Sequence, residues 1–389
     1  MLSSSNATSP PWTLTSIRDA FPIKRQRTYL NNASIGPMST PVISAMERFL
    51  SDVRDNGRNN YPNWCSHADL VIREKIARLI GASASEIAFV KNTTEGLNIV
   101  ANGLAWRPGD NVVVANIEYS SNVYCWMHLA KLGVEVRWVE SRGGRLPVDA
   151  YAEAIDSRTR LVTLSGVQFA SGYRHDLALM SQLCKDRGAL LNVDAIQLIG
   201  ALDIDVEALQ IDFLSAGGHK WMMAPIGTGF FYCSRRSLEL LDPPSVGYHS
   251  VAKHEAHMDY ELVYRPDAAR FEEALVNYPG IYGLEAAVDV LLNIGPAAIE
   301  NHILGLNQQA AALLQRQGWV INSSQVDAER SGILMFTKPG IDPHTIVESM
   351  KSRGVDIATR GGALRMSPSY YNDSVEVERF VSTLSDCVR

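Results

Sequence analysis

The chain has 389 residues, 46% of them hydrophobic and 20% charged, with a formal net charge of −6. That is ordinary globular composition, long enough for two domains, and its mildly acidic balance offers no basic field to nucleic acid. No apolar run approaches the ~20 residues that span a bilayer, so no membrane partner is expected.

Residues 1–11 are rich in Ser, Asn, Thr and Pro and lack the charged and then apolar pattern of a signal peptide. They read as a mobile arm, with the cytoplasm as the expected location. The five cysteines are scattered, and no Cys-x-x-Cys pair occurs, which argues against a disulfide framework and against a metal site. From residue 87 onward short apolar runs alternate with amphipathic segments. Strands are expected at 87–90, 111–115, 134–139, 161–165, 189–193, 213–215 and 229–233, and helices at 95–104, 122–132 and 177–187. Continuous apolar strands separated by helices imply an α/β fold with a mostly parallel sheet covered on both faces. Ligands bind such sheets beyond the carboxyl ends of the strands. Four polar clusters fall there: Thr93-Thr94-Glu95, Glu118-Tyr119-Ser120, Gln168-Phe169 and Asp194.

After residue 282 the pattern changes. Helices are expected at 284–294 and 296–315, punctuated by Gly295-Pro296. Segments 332–337, 345–352, 355–358 and 375–388 read as a smaller C-terminal α/β unit.

Lys220 stands in Gly217-Gly218-His219-Lys220-Trp221, after the strand-ending Asp194. An amine on a short loop can condense with an aldehyde, and a buried acid can keep a pyridine nitrogen protonated. Pyridoxal phosphate (PLP) needs both groups. Thr93, Thr94 and Glu95 join a strand to a helix, so they suit a phosphate, although Thr94 could equally cap the helix. Asp194 could likewise be an N-cap, and Gln197 either reaches a ring oxygen or completes a capping box. His219 is assigned to phosphate, with a turn histidine as the alternative. Arg365, in Gly361-Gly362-Ala363-Leu364-Arg365-Met366-Ser367-Pro368, has the planar fork that suits a carboxylate, with a surface salt bridge as the alternative. Arg360 is a second candidate.

In order along the chain, Tyr29-Leu30-Asn31-Asn32-Ala33, Asn92-Thr93-Thr94-Glu95-Gly96, Asn192-Val193-Asp194-Ala195-Ile196-Gln197, Gly218-His219-Lys220 and Arg365-Met366-Ser367-Pro368 resemble the class V aminotransferase family of fold-type I PLP enzymes. The chain is similar to its isopenicillin N epimerase-like and cysteine desulfurase-like branches. The resemblance implies a large domain with a seven-stranded sheet at 30–283, a small domain at 284–389, and an N-terminal arm at 1–29 packing with the small domain. It implies Lys220 as the lysine that binds PLP covalently, Asp194 at the pyridine nitrogen and Gln197 at the ring hydroxyl. Thr94, the Glu95 backbone and His219 would hold phosphate, with Tyr119 stacked on the ring. Arg365 would hold the α-carboxylate of an amino-acid substrate. Asn32, Tyr248 and His249 would line the entrance. Family members are homodimers with shared active sites, and residues 277–280 match the segment that crosses over.

The chain departs from the family in four places. The catalytic cysteine of the desulfurases would lie between Arg360 and Arg365, where residues 361–364 carry none, which disfavours persulfide formation on the protein. Gly217 replaces a phosphate-binding Ser, and Leu275 a Thr of the neighbouring subunit. The phosphate contacts could then move to Ser215 and Asn277. Phe169 stands where an Asn is frequent. The function expected is transamination or β-elimination of C–S lyase type at the Cα of an L-amino acid or its conjugate. The alternatives are epimerisation or decarboxylation of a specialised-metabolite amino acid, and a catalytically silent scaffold of the same fold.

Overall fold

The computed structural model describes residues 12–253, 258 and 260–388. The arm expected at residues 1–11 lies outside them. In chain order the strands are β1 (Thr28–Tyr29), β2 (Ile87–Val90), β3 (Asn111–Ala115), β4 (Glu135–Val139), β5 (Thr159–Ser165), β6 (Leu190–Asp194), β7 (Phe213–Gly217), β8 (Gly229–Cys233), β9 (Val320–Ile321), β10 (Leu334–Thr337), β11 (Val355–Asp356), β12 (Ala358–Arg360) and β13 (Ala363–Met366).

The central sheet has seven strands in the order β2-β8-β7-β6-β5-β3-β4. Strands β7, β6, β5, β3 and β4 are parallel, while β8 runs antiparallel to both β7 and β2. Side chains alternate across a strand, so an apolar run feeds two cores at once. Val113 and Ala115 join Val162, Leu164 and Leu214 on one face. Val112 and Val114 join Val90, Leu97, Trp126, Phe213 and Phe231 on the other. Edge strand β4 is half solvated, with Glu135 exposed, as an edge tolerates.

A second, antiparallel sheet runs β12-β13-β10-β9. It packs with helices Pro296–Arg316, Pro343–Ser352 and Ser374–Cys387 around a third core that includes Leu314, Phe336, Met350 and Phe380. The strand expected at 355–358 is split. β11 pairs with β1, and β12 pairs with β13. Strand β13, which carries Arg365, has no counterpart among the expected elements, nor have helices Thr40–Asn56 and Arg73–Ile80. The boundary expected at 283/284 falls inside helix Tyr278–Ile294, whose Tyr282 ring lies 5.0 Å from that of Phe49 on helix Thr40–Asn56. The chain turns between Ile294 and Pro296, where the next helix departs at 81°. Residues 12–29 lie against the small sheet's side of the molecule. Phe21 stacks on Tyr371 at 4.2 Å, and Arg27 Nε donates to Asp356 at 2.5 Å.

Among the described residues no single helix is long and apolar enough to cross a membrane. No group of three or more His, Cys, Asp or Glu side chains there is placed to hold a metal ion.

One buried ion pair locks the layer beneath the sheet's end. Arg73 Nη1 and Nη2 donate to Glu272 Oε1 and Oε2 at 2.6 and 2.8 Å, and the Phe89 amide donates to Oε1 at 2.7 Å. Burial alone would raise the Glu272 carboxyl; Arg73, His249 and the Phe89 amide outweigh it and hold the pKa at about 2. A depressed folded-state pKa means that this stabilisation is complete above the ordinary carboxyl range and drains as the pH falls toward 2. Glu272→Ala should cost about 3–5 kcal/mol in urea unfolding, because it removes the two-point partner of a buried guanidinium and leaves it only Asp69 and the Ile87 carbonyl. A loss under about 1 kcal/mol, the size of an exposed pair, would contradict this.

Candidate active site

The carboxyl ends of β2, β5, β6 and β7 open on one edge of the sheet. Asp194 ends β6 and lies opposite Ser215 on β7; the loop after β7 brings Lys220 back over it. Asp194 is buried, with Oδ1 accepting from the Ile196 amide at 3.0 Å. Its carboxylate therefore serves as a local cap and still faces Lys220. Burial raises its pKa to about 6, against the Ile196 amide and the Lys220 charge. Burial lowers Lys220 to about 8; Asp194 opposes this, and Arg365 and Arg360 add to it. The ammonium lies 5.6 Å from the centroid of the Tyr119 ring, which meets Phe169 edge-on at 5.2 Å. Gln197 is buried and already engaged. Its Nε2 donates to Ala33 O at 3.0 Å, and its Oε1 accepts from Trp221 Nε1 at 2.8 Å. One amide hydrogen remains for a ligand.

At the start of helix Thr93–Gly103 the cap is Asn92, not Thr94. Asn92 Oδ1 accepts from the Glu95 amide at 2.9 Å. Thr94 is thereby free to donate to Ser121 Oγ at 2.8 Å. Thr93 Oγ1 accepts from the Gly217 amide at 2.9 Å and joins the helix start to β7. The His219 ring is beside them: a Cβ at Gly217 would come within 3.3 Å of both that ring and Thr93 Oγ1. Burial, and then Lys220, lower the His219 pKa. Glu95 itself turns back to Lys91, at 3.0 Å. Ser215 is fully buried beneath the helix start, its hydroxyl without a partner and 2.3 Å from where a Cβ of Gly96 would sit.

Arg365 is buried on β13. Its Nη2 donates to Ser34 Oγ at 2.6 Å and reaches Asn31 Oδ1 at 3.4 Å; Nη1 reaches Phe169 O at 3.4 Å, and Nε has no partner. No acidic side chain among the described residues is within ion-pair distance of it. The surface-salt-bridge alternative is thereby removed. Burial, and then Arg360, press its pKa below the ordinary value. Arg360, half-buried on β12, donates to Thr359 O at 2.7 Å.

Asn32 is corrected by one position. Its amide is buried, donating to Ser367 O at 2.8 Å and accepting from Tyr371 OH at 3.1 Å, which is a structural tie. Its neighbours Asn31 and Ser34 face the guanidinium. They were missed in the sequence, as was Gly36. Its amide donates to His219 O at 2.8 Å, and a Cβ there would lie 2.1 Å from Lys220 O, so only glycine lets the two backbones approach. The only sequence signals were the paired asparagines and Gly36-Pro37.

Tyr248 and His249 have partners on other elements of the chain. His249 Nε2 lies 3.3 Å from Arg265, in the network of Glu272, and Tyr248 is in contact with Tyr61. Asn277 caps helix Tyr278–Ile294 through the Gly280 amide at 3.3 Å. It lines a cavity of about 330 Å³ with Lys91, Glu95 and Leu275, on the outer side of the helix start.

These residues fit PLP on their own terms. The site has an amine of depressed pKa, a buried carboxylate aimed at it, an aromatic ring over it, a helix N-terminus that carries the Thr93 and Thr94 hydroxyls, and a buried guanidinium with an orphaned Nε. Lys220, Asp194 and Tyr119 would hold the ring, with Thr94 and His219 at the phosphate.

Comparison with known proteins agrees. The Aminotransferase class-V family matches residues 28–380. A probable cysteine desulfurase of Methanothermobacter thermautotrophicus is 34% identical, over 95% of this chain and 97% of its own. One from Pyrococcus abyssi is 28% identical, over 96% and 97%. Among solved structures, the apo cysteine desulfurase of Thermococcus onnurineus superposes with a TM-score of 0.88 at 26% identity, covering 97% and 98%. The fold, the site and these likenesses lead to one conclusion: the chain belongs to the class V aminotransferase family and is a PLP-dependent enzyme.

Proposed function

We propose that this enzyme breaks a bond at the Cα of an L-amino acid or amino-acid conjugate, ending in transamination or in β-elimination of C–S lyase type. The observation that carries this reading is the Arg365 guanidinium, buried without an acidic partner beside the Lys220 amine. A buried charge needs a counter-ion, and an α-carboxylate is the anion whose two oxygens match the planar fork.

PLP, when bound, withdraws electrons from a bond at Cα. The remaining work belongs to side chains. Arg365, held by Ser34 and Asn31, fixes the carboxylate and so selects which Cα bond is aligned for cleavage. Lys220 Nζ, with its pKa lowered to about 8, is suited to take the proton from Cα and to return one near neutral pH. Asp194, its carboxylate buried opposite Lys220, would pair with the ring nitrogen and keep it protonated. Tyr119 and Phe169 set an edge-on ring pair beside the amine, with Tyr119 on the exposed side.

The names of the cysteine desulfurase relatives favour cleavage of a C–S bond over transamination. Residues Gly361 and Gly362, at φ 55° and 79°, close the β12–β13 hairpin in a two-residue turn that carries no thiol. In our reading, sulfur therefore leaves as a small product and is not passed to a cysteine of this chain. The five cysteines are free thiols, consistent with the cytoplasm.

We also read the protein as a homodimer. Val246, Tyr248 and Leu275 expose apolar surface on or beside the segments that carry Tyr248 and Asn277, and Ile226 does so on the loop before β8. Sedimentation should give twice 42.8 kDa at micromolar concentration; a fully active monomer would refute the pairing.

Arg365→Lys tests the carboxylate contact. An ammonium cannot reproduce the two-point geometry, so catalytic efficiency with amino acids should fall about 10- to 150-fold. The corresponding decarboxylated amines, poor substrates for the parent, should change little. Equal losses on both would assign Arg365 a purely structural role.

A further inference from the structure

We propose that Glu118 is a positioning residue of this site: its buried carboxyl group ties the loop that carries Tyr119 to the loop that carries Phe169, and so sets the ring pair against the Lys220 amine. This rests on the placement of Lys220 and Tyr119 at the cofactor, and it adds a residue that acts only through its neighbours.

The geometry begins at the end of β3, where the Glu118 amide donates to Ala115 O at 3.3 Å and turns the chain. The side chain reaches across to the end of β5. Oε1 accepts from the Ser165 amide at 2.7 Å and from Gln168 Nε2 at 2.6 Å, and Oε2 is hydrogen-bonded to the Ser165 hydroxyl. Each partner leads to the site. Ser165 is in register with Asp194, and the next amide, Gly166, donates to Asp194 O at 2.8 Å. Gln168 precedes Phe169, whose ring meets Tyr119 edge-on and whose carbonyl oxygen accepts from Arg365 Nη1 at 3.4 Å. Tyr119 follows Glu118 directly, with its ring centroid 5.6 Å from Lys220 Nζ. One side chain thus references the ring pair, Asp194 and Arg365 to the ends of two strands.

The chemistry of the group is the second observation. Tyr119 is 47% exposed, so little packing holds its ring. Glu118 is buried, and a buried ionisable group is costly where an apolar one would fill the space freely. What a carboxyl group adds is direction, because its two oxygens fix donors on a strand end and on the following loop. Burial raises its pKa to about 7; the Ser165 hydrogen bonds oppose the rise, and Asp194 on β6 adds to it. Tyr151, on helix Val148–Ala154, is also within its electrostatic reach. At about pH 6 the group is therefore mostly the neutral acid, and an amide of the same length copies it. Reach rather than charge is what the clamp requires.

Two variants separate reach from charge. Glu118→Gln keeps the length and copies the neutral form. Glu118→Asp keeps the acid but is one methylene short of holding Ser165 and Gln168 together. Two readings are taken on holoenzyme at about pH 6 and matched PLP occupancy, with urea unfolding run alongside. One is the visible circular dichroism of the bound cofactor, which reports how its ring is held. The other is the rate at which saturating L-cysteine shifts the cofactor's absorption. Glu118→Gln should stay close to the parent in both. Glu118→Asp should lose most of the dichroism and slow the shift about 10- to 100-fold, with a smaller change in the half-saturating concentration. A residue that only stabilised the fold would lower the urea midpoint and leave both readings unmoved. Should Glu118→Asp not fold, Gln168→Leu cuts only the tie to the Phe169 loop and should show the same losses in smaller degree. Parent-like readings in whichever of these two folds, or equal losses in Glu118→Gln and Glu118→Asp, would overturn the inference and leave the site reading intact. Tyr119→Leu is the control. If it moves neither the dichroism nor the rate, Tyr119 does not lie on the cofactor, and the site reading fails together with this inference.

Discussion

The site depends on two buried groups of opposite charge, Asp194 and Lys220, facing each other at the carboxyl edge of a parallel sheet. Burial penalises the charged form of each, and each partly restores the charge of the other. The topology makes the meeting unavoidable. β6 and β7 are neighbours with Asp194 in register with Ser215, and the loop after β7 returns within a few residues. A parallel sheet brings its strand ends to one side, so the start of helix Thr93–Gly103, Tyr119 and Phe169 converge there too.

The second determinant is the segment Asn31–Gly36, which clasps both halves of the molecule. Asn31 bridges to Ser367 next to β13, Ser34 holds Arg365, Ala33 receives Gln197, and Gly36 is bonded to the backbone of His219. Arg365 and Lys220, the groups proposed to hold substrate and cofactor, are thus referenced to the same few residues of backbone. A shift of the small domain would be felt at Lys220 through this clasp. Its close approach to the Lys220 carbonyl explains why a glycine is needed at position 36.

The central sheet was legible because strands such as Asn111–Ala115 are unbroken apolar runs, buried on both faces. Strand β13 was not, because it is short, follows two glycines and carries a charge at its centre. Lys220, Asp194 and Arg365 stood out through the residues around them. The finer roles were not legible where neighbouring residues compete for one position. Asn92 and Thr94 both suit a cap, and the backbone conformation at Asn92 decides between them. Asn31 and Asn32 differ only in which side of an extended segment they face, and a one-residue slip exchanges them. Ser215 stands on a strand that ends at the site, and its burial beneath Gly96 is set by packing that a strand pattern does not show. For Tyr248, His249 and Asn277 a place at the site rests on the proposed dimer, and no pattern within one chain encodes a second copy.

The central claim is that Lys220 is the amine prepared for PLP. Its most direct test is reductive trapping: apo-protein is mixed with PLP, reduced with borohydride over a series of pH values, and the modified peptide is identified by mass spectrometry. The account predicts a pyridoxyl adduct on Lys220 alone. Its trapping rate should rise with pH as the amine loses its proton, reaching half its plateau near the lowered pKa of about 8 and about two units below an ordinary lysine. Modification spread over surface lysines, or a midpoint at the ordinary lysine value, would contradict it.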